Sequence, residues 1–411
     1  MRRAALRDDA RYCAAAEQHD RLAILGVFTA EDHVTRRAVA RTWLSPDAGF
    51  SRARDGILAR FVARGLGGTP VLDREAQEFG DVILLRGPTT MLRTNGPLLT
   101  LILWFECAVQ AWPRATLIGK ADDDVWVHVD GTAAHLRGSL EALRSVQTPA
   151  EGEAPQMFWG LMETYGWSLT THRPMGFGYK YSRGAPNCTV RPIPSMREKV
   201  NHSLLYPVHF AKGPMYFVST PLIRQLVADP EVRSYALTVI ASANSTHREK
   251  TLPWEDVYTG LALVRTARGG SPAFVHMGSR VISEGYGAYA KMGFGANTLL
   301  FHANTEKARD KERYAKMHRW ALANHCNPGT PANLTLRCNH YRPMISCAGV
   351  TWRRCLYIHD YGACPGNGPM FGKPVNKTRT AESAVVHGPT SAMRSKSRKP
   401  LARGRKPDGS P

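Results

Sequence analysis

Acidic residues are scarce in this sequence: 34 Asp and Glu stand against 54 Lys and Arg among 411 residues. The formal net charge of +20 and a pI of about 9.9 favour anionic partners such as nucleotides, phosphorylated glycans or acidic membrane surfaces. Other absences narrow the classes further. No CxxC pair occurs, which argues against a zinc site. There is no G-x-x-x-x-G-K-[ST] loop, so a P-loop phosphotransferase is a weak reading. RRM, KH and zinc-finger patterns are missing, and the basic tail "SAMRSKSRKPLARGRKPDGSP" lacks interleaved aromatics, so no nucleic-acid partner is expected. No internal repeat is visible. The N-terminal "MRRAALRDDARYCAAAEQHD" has no apolar signal core, and no run of about 20 apolar residues follows. The longest apolar stretch, "GPLLTLILWFECAVQAW", carries Glu106 and reads as a core helix.

What is present is a globular composition, 43% hydrophobic and 21% charged, in a chain long enough for one large or two smaller domains. Of eight cysteines, Cys326, Cys338, Cys347, Cys355 and Cys364 crowd toward the C-terminus, while Cys13, Cys107 and Cys188 are scattered. That clustering suits a disulfide-stapled, loop-rich segment in an oxidising compartment. Five N-x-S/T sequons, at Asn187, Asn201, Asn244, Asn333 and Asn376, point the same way, to a glycoprotein. The expectation is a secretory protein whose N-terminal membrane anchor is absent from this chain; the rival is a cytosolic protein with unpaired thiols.

Apolar runs of strand length recur in "RLAILGVF", "GILARFVA", "DVILL", "ATLIG" and "MFWGLME". Between them lie helix-compatible stretches: "HVTRRAVARTW", "VLDREAQEF", "TNGPLLTLILWFECAVQAW" and "GTAAHLRGSLEALRSV". Strands alternating with helices predict a βαβ architecture with a mostly parallel sheet. Thr29 with Asp32 three residues on resembles a capping box at the start of the first helix. From about Tyr165 to Leu205 the pattern dissolves into Gly, Pro, Arg and aromatic residues and reads as a long functional loop. The boundaries expected are a stem remnant over 1–20, a catalytic domain over 21–325, a cysteine-rich extension over 326–377 and a disordered basic tail over 378–411.

The densest negative charge, Asp122, Asp123 and Asp124 in "ATLIGKADDDVWVHV", falls between two apolar strands. Extended backbone puts Asp122 and Asp124 on one face and Asp123 on the other. Paired carboxylates repel, and a hard divalent cation with places left for phosphate is the natural remedy; a solvated acidic turn is the bland alternative. In open α/β sheets ligands bind at the carboxyl ends of strands, and this is such an end. Arg36, Arg37 and Arg41, after the first strand, crowd like charge on a helix face at a cost that a bound anion would offset, or form an exposed basic face.

Taken together, "RRAVARTW", "FGDVILL", "KADDDVWVH", "YPVHFAKGPMYFVS" and "WEDVYTGLAL" resemble, in order over roughly Arg21 to Trp320, the β1,3-galactosyltransferase and Fringe-like nucleotide-sugar transferases of glycosyltransferase family 31. The resemblance implies a GT-A fold, a Rossmann-like sheet flanked by helices, and a Golgi or endoplasmic reticulum membrane enzyme with a lumenal catalytic domain. It implies a metal-dependent, inverting β1,3 transfer of galactose from UDP-galactose to a glycan, with UDP-N-acetylglucosamine the alternative donor. A non-catalytic, Fringe-like glycan-binding protein is the other alternative. By matching position, Asp122, Asp124 and His302 correspond to ligands of Mn²⁺ (or Mg²⁺), and Asp122 and Asp123 to donor contacts along with Arg36, Arg37, Arg41 and Trp254. Asp256 matches the base, with Glu255 in reserve. Where the family carries a run of glycines this chain has Pro214 and Met215. The basic charge suits an anionic acceptor, such as the surface phosphoglycans galactosylated by relatives in parasitic protozoa.

Overall fold

The computed structural model describes residues 20–44, 56–65, 70–87, 95–144, 147, 149, 153–168, 173–177, 180–181, 190–191, 205–234, 255–266, 272–277, 281–283, 298–302 and 311–324, with short strands at 334–337, 346–347, 350–351 and 357–360. All of them fall in one compact unit, Met1–Lys373; a second unit, Pro374–Pro411, contains no described residue.

The first half of the chain alternates as expected. Strand β1 (Ala23–Phe28) leads into helix α1 (Val34–Leu44), then β2 (Ile57–Arg64), α2 (Pro70–Phe79), β3 (Val82–Leu85), α3 (Asn95–Ala111) and β4 (Leu117–Asp122). A short β5 (Val125–Val127) precedes α4 (Val129–Arg144) and β6 (Met157–Ser168), against which β7 (Arg173–Phe177) pairs. The two-residue strands β8 (Lys180–Tyr181) and β9 (Val190–Arg191) pair with each other. Then come β10 (Leu205–Ser219), α5 (Thr220–Ala228), α6 (Glu255–Thr266), β11 (Ala273–His276), β12 (Val281–Ser283), β13 (Leu300–His302) and α7 (Lys311–Asn324). Beyond α7, β14 (Leu334–Arg337) pairs with β17 (Tyr357–Asp360), and β15 (Ser346–Cys347) with β16 (Val350–Thr351).

The main sheet runs β11-β6-β10-β4-β1-β2-β3. Its pairs are parallel except at β10, which lies antiparallel between β4 and β6, and at the added β7. Both faces are covered, which is why β1 reads as an uninterrupted apolar run. Along β1, Ile24 packs into the cluster beneath α3, α5 and α6, while Ala23, Leu25 and Val27 pack into the opposite one, beneath α1, α4 and α7. Gly26 is required because an added Cβ would stand 2.5 Å from the Trp104 ring of α3. Helix α3, the apolar stretch with Glu106, is a core helix, and no described helix is long and apolar enough to cross a membrane.

Two expectations are corrected. The stretch from Tyr165 to Leu205 is not loop throughout: β6 continues to Ser168, and β7, β8 and β9 lie within it, the residues between them falling outside those described. Thr29 does not cap α1 with Asp32; its hydroxyl donates to Asp123 at 2.7 Å, and the helix begins at Val34.

Candidate active site

The acidic triplet lies where β4 leaves the sheet. Asp122 is the last residue of β4, opposite Phe28 of β1, and Asp123 and Asp124 form the turn into β5. β5 pairs antiparallel with β13, and that register sets His302 against Val125. Three ligand atoms, one each from Asp122, Asp124 and His302, therefore lie within 4.8 Å of one another. His302 Nε2 is 3.2 Å from Asp124 Oδ1. Burial would lower the His302 imidazole, but Asp124 outweighs it and holds the ring above its ordinary value. Burial would likewise raise the Asp124 carboxyl, yet His302, Arg36 and Lys120 bring it below the usual carboxylate range. Asp122 moves the other way: burial, with Asp124 and Glu255 nearby, raises it despite Lys120.

Asp123 turns away and is already fully engaged. It accepts from Thr29 Oγ1 at 2.7 Å, from His33 Nδ1 at 2.7 Å and from Arg36 Nη1 at 2.9 Å. These bonds fasten the turn to the β1–α1 junction. From the far side, the Tyr314 hydroxyl of α7 donates to the Asp124 carbonyl at 3.1 Å.

The three arginines of α1 part company here. Arg36 stands at the acidic turn, 3.7 Å from Asp124 Oδ2, and its Nε has no hydrogen-bond partner although it is buried. Arg37 is 0% exposed and makes a two-point contact with Glu75 of α2, at 2.9 and 2.7 Å; it also donates to Thr29 Oγ1 and to the Ala30 and Glu31 carbonyls. Arg41 bridges Glu75 and Asp81 and stacks on the Phe79 ring at 3.9 Å. Arg37 and Arg41 thus clamp α1 to α2 with guanidinium groups spent on the protein itself.

On the other side of β4, Lys120 is buried and reaches three elements at once. Its Nζ donates to Asp122 Oδ1 at 2.5 Å, to the Gly213 carbonyl of β10 at 2.6 Å and to Glu255 Oε1 at 3.2 Å. β10 passes this point through a register shift between Ala211 and Tyr216, so Pro214, which has no N–H, costs no ladder bond. Gly213 sits in that irregularity; a Cβ there would come within 3.2 Å of Glu255 Oε1 and 3.5 Å of Lys120 Nζ. Glu255 and Asp256 open α6. Asp256 accepts from the Val257 N–H at 2.7 Å and the Gly213 N–H at 3.2 Å. Burial and the adjacent Glu255 carboxylate push the Asp256 carboxyl up to about 7, against the opposing pull of those N–H groups and Lys120.

Residues 34–266, more than half of the chain, match the family model described as Galactosyltransferase. The chain belongs to the galactosyltransferase family. The match spans the arginine helix, the acidic triplet and Asp256, and it ends before His302. A comparison with curated proteins gives no significant match. Among solved structures the chain is similar to the galactosyltransferase LgtC in complex with donor and acceptor sugar analogs, at 9% identity over 72% of this chain and 95% of that one, TM-score 0.33. It is also similar to mouse xyloside xylosyltransferase 1 in its apo form, at 12% identity over 70% and 98%, TM-score 0.34. Overlaps of that size carry no weight by themselves. The sheet, mostly parallel with helices on both faces, is of the GT-A type that the family implies, and the chain is a glycosyltransferase.

In this galactosyltransferase-family chain, Asp122, Asp124 and His302 come together, Arg36 joins them, and Glu255 and Asp256 approach from α6. Trp254 lies outside the described residues, as do the side chains of the C-terminal cysteine cluster. Lys120 and His33 had no role in the sequence pattern, and Thr29 had only that of a helix cap, whereas all three bond to the acidic triplet. Lys120 was visible as the lysine two residues before the triplet, in the middle of an apolar strand where an unpaired ammonium would be costly.

Proposed function

We propose that this chain is a divalent-metal-dependent, inverting β1,3-galactosyltransferase that moves galactose from UDP-galactose to a hydroxyl of a glycan. The observation that carries the proposal is the pairing of two groups across Lys120: the Asp122, Asp124 and His302 cluster, and an Asp256 carboxyl raised to about 7. Two carboxylate oxygens and an imidazole nitrogen within 4.8 Å suit a divalent cation, and the nitrogen favours Mn²⁺ over Mg²⁺. Such a cation, bound by these three side chains, supplies neutralising charge for the departing diphosphate.

The remaining work belongs to the protein. Asp256 takes the proton of the acceptor hydroxyl as its oxygen bonds to the anomeric carbon and the sugar–UDP bond breaks with its electron pair going to UDP. A carboxyl near 7 is matched to that proton transfer at neutral pH. Arg36, whose buried Nε lacks a partner, is the arginine assigned to the donor, since Arg37 and Arg41 are committed to Glu75 and Asp81. Asp123 holds the turn, and the donor role of Trp254 rests on the family resemblance alone. The net charge of +20 supports an anionic acceptor such as a phosphoglycan. Action in the Golgi or endoplasmic reticulum lumen is supported by the family and by the five sequons.

The test is transfer by the purified chain with Mn²⁺, using UDP-galactose and UDP-N-acetylglucosamine in parallel with neutral and phosphorylated glycan acceptors, the product linkage read by NMR. A β-linked galactoside supports the reading in full. An N-acetylglucosaminide replaces the donor, an α linkage overturns inversion, and glycan binding without transfer of either sugar favours the Fringe-like binding protein.

A further inference from the structure

The ammonium of Lys120 is 1% exposed, in the middle of the sheet, and its three hydrogen bonds among the described residues go to parts of the candidate site that come from separate elements. Asp122 ends β4, Gly213 belongs to the irregular stretch of β10, and Glu255 opens α6. An ordinary buried ion pair needs one carboxylate; this cation divides itself between two, and those two belong to opposite halves of the site. Glu255 is the direct neighbour of Asp256, and the Gly213 residue whose carbonyl Lys120 holds also gives its N–H to Asp256. The Phe28 ring, 5.6 Å away, walls the ammonium further. Whatever draws Asp122 toward another cation must therefore release Lys120 toward Glu255 and Gly213.

We propose that Lys120 is a positioning residue that couples the Asp122, Asp124 and His302 cluster to the base-bearing end of α6, so that occupancy of one half of the site and the placement of Asp256 in the other are linked. The proposal rests on the functional reading above in assigning the two halves their roles. Coupling of this kind is reciprocal and appears in a double-mutant cycle. Glu255 is not one of the three clustered ligands, yet its removal frees the ammonium to hold Asp122 more fully and so to compete with a metal there.

The experiment is Mn²⁺ binding to the purified chain without donor, followed by electron paramagnetic resonance, for wild type, Glu255→Gln, Lys120→Met and the double variant, with thermal melting to confirm folding. Glu255→Gln is expected to weaken Mn²⁺ binding about five- to tenfold in the wild-type background and by less than about twofold when Lys120 is Met. An equal effect in both backgrounds, or none in either, overturns the proposal, since a through-space charge effect or a purely structural lysine would give those results. Lys120→Gln, which keeps a donor for one carboxylate, takes the place of Lys120→Met if the latter does not fold. A second readout is turnover: Lys120→Met should lower kcat at least about thirtyfold with donor KM within about threefold, an unchanged kcat counting against the proposal. A wild type that binds Mn²⁺ but transfers no sugar overturns the functional reading alone, and the binding cycle still decides the coupling.

Discussion

His302 Nε2 stands 3.2 Å from Asp124 Oδ1 because β13 pairs antiparallel with the three-residue strand that follows the acidic turn. The register His302↔Val125 places the imidazole beside the carboxylates, and the pair shift each other in opposite directions, the ring up and the carboxyl down. A site assembled this way has consequences that each part can be asked to show.

Binding of Mn²⁺ requires the neutral imidazole, so protons compete with the metal. Because Asp124 holds the ring above its ordinary 6.5, that competition begins above pH 6.5 and grows as pH falls. Metal affinity measured by calorimetry should decline steadily from about pH 8 to about pH 6. His302→Ala should lower affinity at pH 8 by at least about tenfold and flatten the pH dependence.

The base titrates separately. A carboxyl raised to about 7 is protonated, and unable to accept a proton, below that pH; kcat should therefore rise with pH through about 7 and level off above it. Asp256→Asn should reduce kcat by about 10²- to 10⁴-fold while donor binding is retained, as read by nucleotide-sugar calorimetry.

Among the arginines, the expected outcomes divide. Arg36→Ala should raise the donor KM and also cost stability, because it takes one of three donors from the buried Asp123 carboxylate. Glu75→Ala, which strands Arg37 and Arg41 without their shared carboxylate, should cost about 3–5 kcal/mol in urea unfolding and leave the donor KM of the folded fraction unchanged. Glu75 is held below its ordinary 4.5, because Arg37 and Arg41 outweigh the effect of burial, so its contribution persists at neutral pH and is lost only in acid.

Much of the sheet was legible because both its faces are buried, and buried strands announce themselves as apolar runs: "RLAILGVF", "DVILL" and "ATLIG" became β1, β3 and β4. Strand direction was not legible, since the apolar pattern of "YPVHFAKGPMYFVS" is the same whichever way β10 runs between β4 and β6. In the site, the acids could be read from their density against an apolar background. The fate of Arg37 and Arg41 could not, because their partner Glu75 is separated from Arg37 by 38 residues and only the packing of α2 brings it near. Lys120 itself stood out in its apolar strand, but its partner on α6, Glu255, could not be read for the same reason, being 135 residues away.

The central claim is that Asp122, Asp124 and His302 hold a cation required for expelling UDP from a sugar donor. The most direct measurement is UDP release from UDP-galactose in the presence of a glycan acceptor, with Mn²⁺ and with chelator, for wild type and Asp124→Ala. UDP release is expected to depend on Mn²⁺ in the wild type and to fall by at least about 10²-fold in the folded variant. Release that persists in chelator, or that Asp124→Ala leaves intact, would contradict it.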